Sequence, residues 1–201
     1  MQTLERYRSV LQESIHNLSK LEFEEMVTYA DILYVMQRLI MVMRIKTELL
    51  IYMNELGVEG RLLRLQLHEM LHVVEQEVML VLKDYTIDSE GLKPEQVFQA
   101  FVDLSYSESV EDTAIMKTLG YTGFVPMEQI VSPCGYRALH KIPRLPFSII
   151  HNLVKRFGKL SNLLNASVAD LDDVEGIGEV RAKKIHHGLR HIKTEIGQHS
   201  L

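Results

Sequence analysis

Apolar positions recur at helical spacing from the first residues of the chain. Leu4, Leu11 and Leu18 stand seven apart with Tyr7 and Ser14 between them, which predicts a helix with one apolar stripe. No capping residue precedes that stripe, so the pattern is expected to continue from an upstream segment. Residues 23–56 predict a second long helix, apolar on nearly every face between Met26 and Met43 and therefore the buried centre of a bundle, with Gly57 ending it. Residues 59–84 predict a third, with Leu63, Leu67, Met70, Leu71, Val74, Val78 and Val81 turned inward; the short connection makes these two helices antiparallel neighbours. The ten methionines, many of them in the second helix, read as flexible core filler.

Residues 86–139 predict shorter helices. Pro94 opens one that carries Val97, Phe98, Phe101 and Leu104, and Ser109-Val-Glu-Asp112 reads as a capping box for another that stops at Gly120. Pro126, Pro133 and Gly135 punctuate residues 121–139, and no alternating strand pattern of useful length occurs. The expected fold is all-α: a long-helix bundle, or spine, over residues 1–139, followed by a small second domain over residues 140–201.

That second domain contains the most specific pattern in the chain. Leu171-Asp-Asp-Val174-Glu-Gly176-Ile177-Gly178-Glu-Val-Arg-Ala182-Lys-Lys-Ile185 reads as helix, tight hairpin, helix. Two glycines around one apolar residue let the backbone turn sharply while Ile177 anchors the turn in a core, leaving peptide N–H groups and a helix N-terminus facing outward, an arrangement suited to an anion. This is the helix-hairpin-helix pattern, which holds nucleic-acid phosphates without reading bases. Upstream, Ile142-Pro143-Arg144-Leu145-Pro146 precedes an apolar stripe at Ile149, Ile150, Leu153, Val154 and Phe157, a degenerate copy ending at Gly158. Ser167-Val-Ala-Asp170 resembles a capping box for the short helix between the copies. After the second hairpin, Ala182, Ile185, Leu189, Ile192 and Ile196 keep helical period and leave Arg181, Lys183, Lys184, Arg190 and Lys193 on other faces.

The net charge of −5 changes meaning once divided by region. Residues 140–201 hold ten Lys and Arg against six Asp and Glu, a net of +4; the remaining 139 residues hold twelve against twenty-one, a net of −9. Positive potential is thus confined to the hairpin end, as a local phosphate footprint requires. Cys134 is the only cysteine, so a disulfide within the chain or a cysteine metal cage is not expected, and with no apolar run near the length of a membrane span and no leader pattern the expected location is cytoplasmic.

His68-Glu69-Met70-Leu71-His72 matches the His-Glu-x-x-His motif of zinc hydrolases, with Glu108 and Asp112 as distant carboxylates that could complete a site. The pattern weighs against it: Met70, Leu71 and Val74 form the core stripe, His68, Glu69 and His72 fall at its edge, and a helical bundle offers no substrate cleft. No Gly-x-Ser-x-Gly, Walker loop or dinucleotide fingerprint occurs, so neither a cofactor nor a metal is expected. His186, His187 and His191 on the last helix read as solvent-facing or phosphate-facing. A protein-interaction module, using the hairpins only for packing, is the main alternative to nucleic-acid binding.

The order of parts resembles the bacterial DNA integrity scanning (DisA) family over essentially the whole chain. The resemblance is carried by Leu56-Gly-Val-Glu-Gly60-Arg-Leu-Leu-Arg-Leu-Gln66-Leu in the spine, by the join Pro133-Cys-Gly135-Tyr-Arg137-Ala-Leu-His-Lys-Ile-Pro143-Arg-Leu-Pro146, and by the Gly-Ile-Gly hairpin. It implies DNA binding, with branched recombination intermediates as target. Gly176, Ile177 and Gly178 match the family's phosphate-binding hairpin, Arg181, Lys183 and Lys184 lie within reach of the same backbone, and Arg144 matches the first hairpin. Two departures imply modest, salt-sensitive affinity: Glu179 at the start of the last helix repels phosphate, and Pro146 removes an N–H donor. The family's diadenylate cyclase domain, with its Asp-Gly-Ala and Arg-His-Arg motifs and its octamer contacts, has no counterpart. No Asp-Gly-Ala occurs, and Arg190-His191 is followed by Ile192. The resemblance therefore implies a spine and DNA-binding part that makes no cyclic di-AMP.

Overall fold

A computed structural model describes residues 2–87 and 93–198. The outer ends of the two predicted domains, at residue 1 and residues 199–201, and residues 88–92 lie outside them. The described residues are α-helical, with one isolated antiparallel bridge between Thr28 and Ile130 and no strand. Three long helices make the spine: α1 (Gln2–Glu24), α2 (Tyr29–Glu55) and α3 (Val58–Tyr85).

The heptad positions of α1 are buried, with Leu4, Leu11 and Leu18 inaccessible and Tyr7 at the rim. In α2, Ile32, Leu33, Val35, Met36, Leu39, Ile40, Val42 and Met43 are buried along one side covering about half the circumference, while Tyr34 and Met41 on the other side are exposed, so the helix is not buried on nearly every face as its apolar run predicts. Met36, Met43, Met53 and Met116 do fill the core, whereas Met26 and Met41 are exposed. α2 and α3 are antiparallel: Lys46 bonds Glu75 at 2.7 Å while Gly60 lies against Met53, so residue numbers fall along one as they rise along the other.

The structure corrects two further expectations from the sequence. The second helix does not begin at Phe23. α1 continues to Glu24, Glu25 turns left-handed at φ 58°, and α2 starts after Thr28, whose hydroxyl accepts from the Asp31 N–H while the Asp31 carboxylate accepts from the Thr28 N–H at 2.8 Å. The apolar run hides the break because Val27 is itself buried, and residues 127–131 pair with the turn through Val131 N–H to Val27 O at 2.8 Å and Ala30 N–H to Met127 O at 3.0 Å. Nor does Ser109 cap the helix at Asp112. The reciprocal box is Ser105-Tyr-Ser-Glu108, with the Ser105 hydroxyl and N–H on the Glu108 carboxylate at 2.5 and 2.9 Å, and Ser109 donates to the Tyr106 carbonyl. It opens a single 3-10 turn, Glu108–Val110, between α4 (Pro94–Asp103) and α5 (Asp112–Thr118).

The last third comprises α6 (Tyr136–His140), α7 (Phe147–Phe157), α8 (Leu160–Asn165), α9 (Val168–Asp172) and α10 (Glu179–Gln198). Its own hydrophobic cluster joins Ile150, Leu153, Leu160, Leu163, Leu171, Ile177, Ala182, Ile185 and Leu189. Ala138 and Leu139, read in the sequence as spine, pack in this second core, and so does Phe23 from the end of α1.

A buried polar node ties the two cores together. Asp84, near the end of α3, accepts from the N–H groups of Gly135, Tyr136 and Arg137 at 2.7, 2.7 and 3.0 Å, satisfying the N-terminus of α6 that glycine at 135 cannot cap. The Arg137 guanidinium, inserted between the helices, donates to the Glu22 carboxylate, the Ile15 carbonyl at 2.7 Å and the Ser19 hydroxyl at 2.6 Å; the Tyr85 hydroxyl donates to Glu22 at 2.9 Å. Burial, reinforced by the neighbouring Glu22, pushes the Asp84 carboxyl up to about 7 against the pull of the amides and Arg137. A carboxyl raised in the folded state holds its proton after the unfolded chain has released it, so its contribution to stability falls as pH rises from its ordinary value near 4 to about 7. Thermal denaturation across that interval should show this decline, and Asp84→Asn should flatten it; equal slopes in the two proteins would refute the assignment.

Candidate nucleic-acid interface

The last third is built from two copies of one unit, related by a constant offset of 32 residues. α6 at 136–140 maps onto α9 at 168–172, and the starts of α7 and α10, Phe147 and Glu179, map onto each other. Buried Ile150 corresponds to Ala182, and Leu153 to Ile185. The caps differ: α9 begins at Ser167 with a complete box to Asp170, as its sequence predicts, whereas α6 borrows Asp84 from the spine.

Each copy has a hairpin between its helices. In the second, Ile177 N–H donates to Val174 O at 3.0 Å, Gly176 takes φ +81°, and Ile177 is buried. In the first, Leu145 N–H donates to Ile142 O at 3.4 Å, and the position equivalent to Gly176 is Arg144, held at φ +60°. A non-glycine residue in that region is uncommon, and its side chain is exposed. Both turns meet at a shallow concavity lined by Arg144, Leu145, Gly178, Glu179, Val180, Arg181 and Lys184. The first intrahelical bond of α10 runs from Ala182 N–H to Gly178 O at 2.9 Å, so the N–H groups of Glu179, Val180 and Arg181 begin the helix without intrahelical acceptors. A Cβ on Gly178 would meet nothing within 4 Å, which marks its face as open.

The structure gives the basic residues named from the sequence different tasks. Arg181 folds back and donates to the Gly176 carbonyl from an exposed position. Lys184 donates to the Pro143 carbonyl at 2.8 Å and bridges the two hairpins. Lys183 is paired with Glu179 at 2.6 Å one turn away, and this hydrogen bond and charge hold the Glu179 carboxyl below its ordinary range. The two therefore largely cancel at the mouth of the hairpin. Arg190 and Lys193 are exposed further along α10, and His191 Nε2 lies 3.3 Å from the Glu195 carboxylate.

Two residues of this face are not singled out by the sequence pattern. Asn152 on α7 donates to the Glu175 carbonyl at 3.1 Å, holding the second hairpin from the first copy. Val180 is 85 % exposed beside Gly178; its position off the Ala182–Ile185–Leu189 stripe is the signal that could have marked it.

The His-Glu-x-x-His motif stays on the surface of α3. His68, Glu69 and His72 are exposed, the two rings lie 5.5 Å apart, and the His72 ring contacts Gln76 at 3.1 Å. Neither distant carboxylate joins them, since Glu108 bonds Ser105 and Asp112 accepts from Gln37 at 3.1 Å. Among the described residues no group of three His, Cys, Asp or Glu side chains is placed to hold a metal ion. Burial pushes the Cys134 thiol up to about 11.

The geometry thus defines a tandem helix-hairpin-helix unit clamped to a helical spine. Residues 1–127 match the family described as DisA bacterial checkpoint controller linker region, and residues 159–187 match the helix-hairpin-helix motif. The chain belongs to the DisA family. It is 47 % identical over 196 residues to the DNA integrity scanning protein DisA of Bacillus licheniformis, covering 97 % of this chain and 54 % of that relative; the Bacillus pumilus protein matches equally, and that of Bacillus cereus is 46 % identical over 98 % of this chain and 55 % of its own length. The chain spans about half the length of the curated relatives it matches, and the parts matched by family are a linker and a binding motif, neither of them a catalytic domain.

Proposed function

We propose that the two hairpins bind the phosphate backbone of DNA without reading its sequence, and that this chain is the DNA-sensing part of a DNA integrity scanning protein. The observation that supports this best is the convergence of the first hairpin's left-handed Arg144, the Gly178 end of the second hairpin and the α10 N-terminus on one exposed concavity with Arg181 and Lys184. In this reading Gly176 and Gly178 let a phosphate approach the backbone, Ile177 anchors the turn, and the outward N–H groups with the helix dipole receive the anion. Arg144, Arg181, Lys183 and Lys184 supply the surrounding positive charge, with Lys183 muted by Glu179. Contacts of this kind position a duplex and carry no base information.

The spine, read from the sequence as residues 1–139, and the DNA-binding domain, read as residues 140–201, meet within α6, where Gly135–Tyr136–Arg137 clamps one to the other and Ala138 and Leu139 pack with the second. One unit presents only two hairpins, so selectivity for branched recombination intermediates arises when several units are held together, each adding effective concentration for the next. Among the described residues no helix is long and apolar enough to cross a membrane, and a DNA-bound role places the protein in the cytoplasm.

The test is the salt dependence of binding to unrelated duplexes and to a branched junction. Affinity should fall steeply with salt, alike for all sequences. Glu179→Gln should release Lys183, raise affinity at low salt several-fold and steepen the salt slope by up to about one unit. Gain or loss confined to one sequence would show base readout instead, and no binding even at low salt would leave the hairpins as packing elements only.

A further inference from the structure

Two side-chain bonds across the hairpins are equivalents under the 32-residue offset. Lys184 donates to the Pro143 carbonyl at 2.8 Å, and Asn152 donates to the Glu175 carbonyl at 3.1 Å. Position 152 maps onto 184, and 143 onto 175. In each case a side chain six residues beyond one copy's hairpin closing residue, Pro146 or Gly178, reaches across to the second residue of the other copy's turn.

We infer that Asn152 and Lys184 are a pseudo-symmetric pair of positioning residues, each setting the orientation of the other copy's hairpin so that both face a DNA backbone as one unit. The chemistry follows from the planar trans peptide, in which C=O and N–H point in opposite directions. A donor holding the Glu175 carbonyl inward therefore aims the Gly176 N–H outward, and a donor holding the Pro143 carbonyl does the same for the Arg144 N–H. The need for a brace is greatest at Gly176, because glycine takes positive and negative φ with similar ease and the peptide ahead of it can rotate at little cost. In the first hairpin Arg144 is already in the disfavoured region, and the Lys184 bond offsets that conformation. The pair is not chemically alike: the ammonium has a charge to offer a phosphate, whereas the half-buried Asn152 amide is neutral.

Asn152 therefore separates positioning from charge. This inference rests on the DNA-binding reading for its consequence, and the measurements distinguish the two. In Asn152→Ala, hydrogen exchange of the Ile177 amide, which closes the turn on the Val174 carbonyl, should quicken about tenfold or more while the cores of α7 and α10 keep their protection. DNA affinity should fall several-fold with the salt slope unchanged, because no charge is lost. Asn152→Lys, which copies the partner position, should restore slow exchange. Unchanged exchange in Asn152→Ala, or an altered salt slope in that variant, would overturn the positioning role. Failure of the wild-type chain to bind any DNA at low salt would instead overturn the proposed function, and the exchange rates would still decide whether Asn152 holds the turn.

Discussion

Gly178→Val should leave the protein folded and weaken DNA binding by about tenfold or more, some 1.4 kcal/mol for each factor of ten. The site is open: a Cβ at 178 meets nothing within 4 Å, and the residue does not occupy the left-handed region. Valine ahead of a helix costs about 1 kcal/mol or less relative to glycine, a shift of a few degrees in Tm. What it adds is bulk at the mouth of the hairpin, where a phosphate must approach the first N–H groups of α10. The neighbouring glycine is a poorer probe, although the sequence treats the two alike. Gly176 is at φ +81° and a Cβ there would stand 2.8 Å from Ile149 Cδ1, so its substitution strains the turn and disturbs the core as well. Circular dichroism and a gel shift on Gly178→Val decide the matter; wild-type affinity in a folded protein would remove the hairpin from the interface.

Glu22→Ala should destabilise the protein by about 3–5 kcal/mol, among the larger effects a single substitution produces. Glu22 is 2 % exposed and Arg137 5 % exposed, so deleting the carboxylate strands a guanidinium away from water with only the Ile15 carbonyl and Ser19 hydroxyl to satisfy it. Pairing Glu22→Leu with Arg137→Met removes both charges, and much of the loss should return because neither partner remains buried alone. Denaturant unfolding of the two proteins measures the difference. A loss below about 1 kcal/mol in the single variant would mean that water reaches the pair and that the clamp between spine and hairpin domain is weak.

Much of this architecture is legible in the order of residues. The stripes of Leu4–Leu11–Leu18 and Leu67–Leu71–Val74–Val78 gave their helices directly, and Gly57, Pro94 and Gly120 marked boundaries close to where they fall. The Ser167–Asp170 box and the Gly-Ile-Gly turn were equally plain. Other local signals are masked by stronger ones: Thr28-Tyr-Ala-Asp31 is a capping box inside what reads as one continuous apolar run, and Ser105-Tyr-Ser-Glu108 competes with Ser109-Val-Glu-Asp112 for the same helix. A hydrophobic pattern cannot see such a break when the residues in the turn are themselves buried, as Val27 is.

Period, punctuation and charge distribution are properties of neighbours along the chain, and they sufficed to determine an all-helical spine, a Gly-rich hairpin and a basic terminal end. The tertiary structure alone decided how those parts are joined and aimed, because the deciding contacts link residues far apart in sequence: Arg137 to Glu22 over 115 positions, Asp84 to the Arg137 amide over 53, Lys184 to Pro143 over 41 and Asn152 to Glu175 over 23. Arg137 and Lys184 stand in motifs the sequence marks, Asp84 and Asn152 do not, and for none of the four do the immediate neighbours indicate the partner. Each carries a polar group whose partner is chosen by the way the helices pack on one another, and a polar group taken out of water must find its partner wherever packing places it.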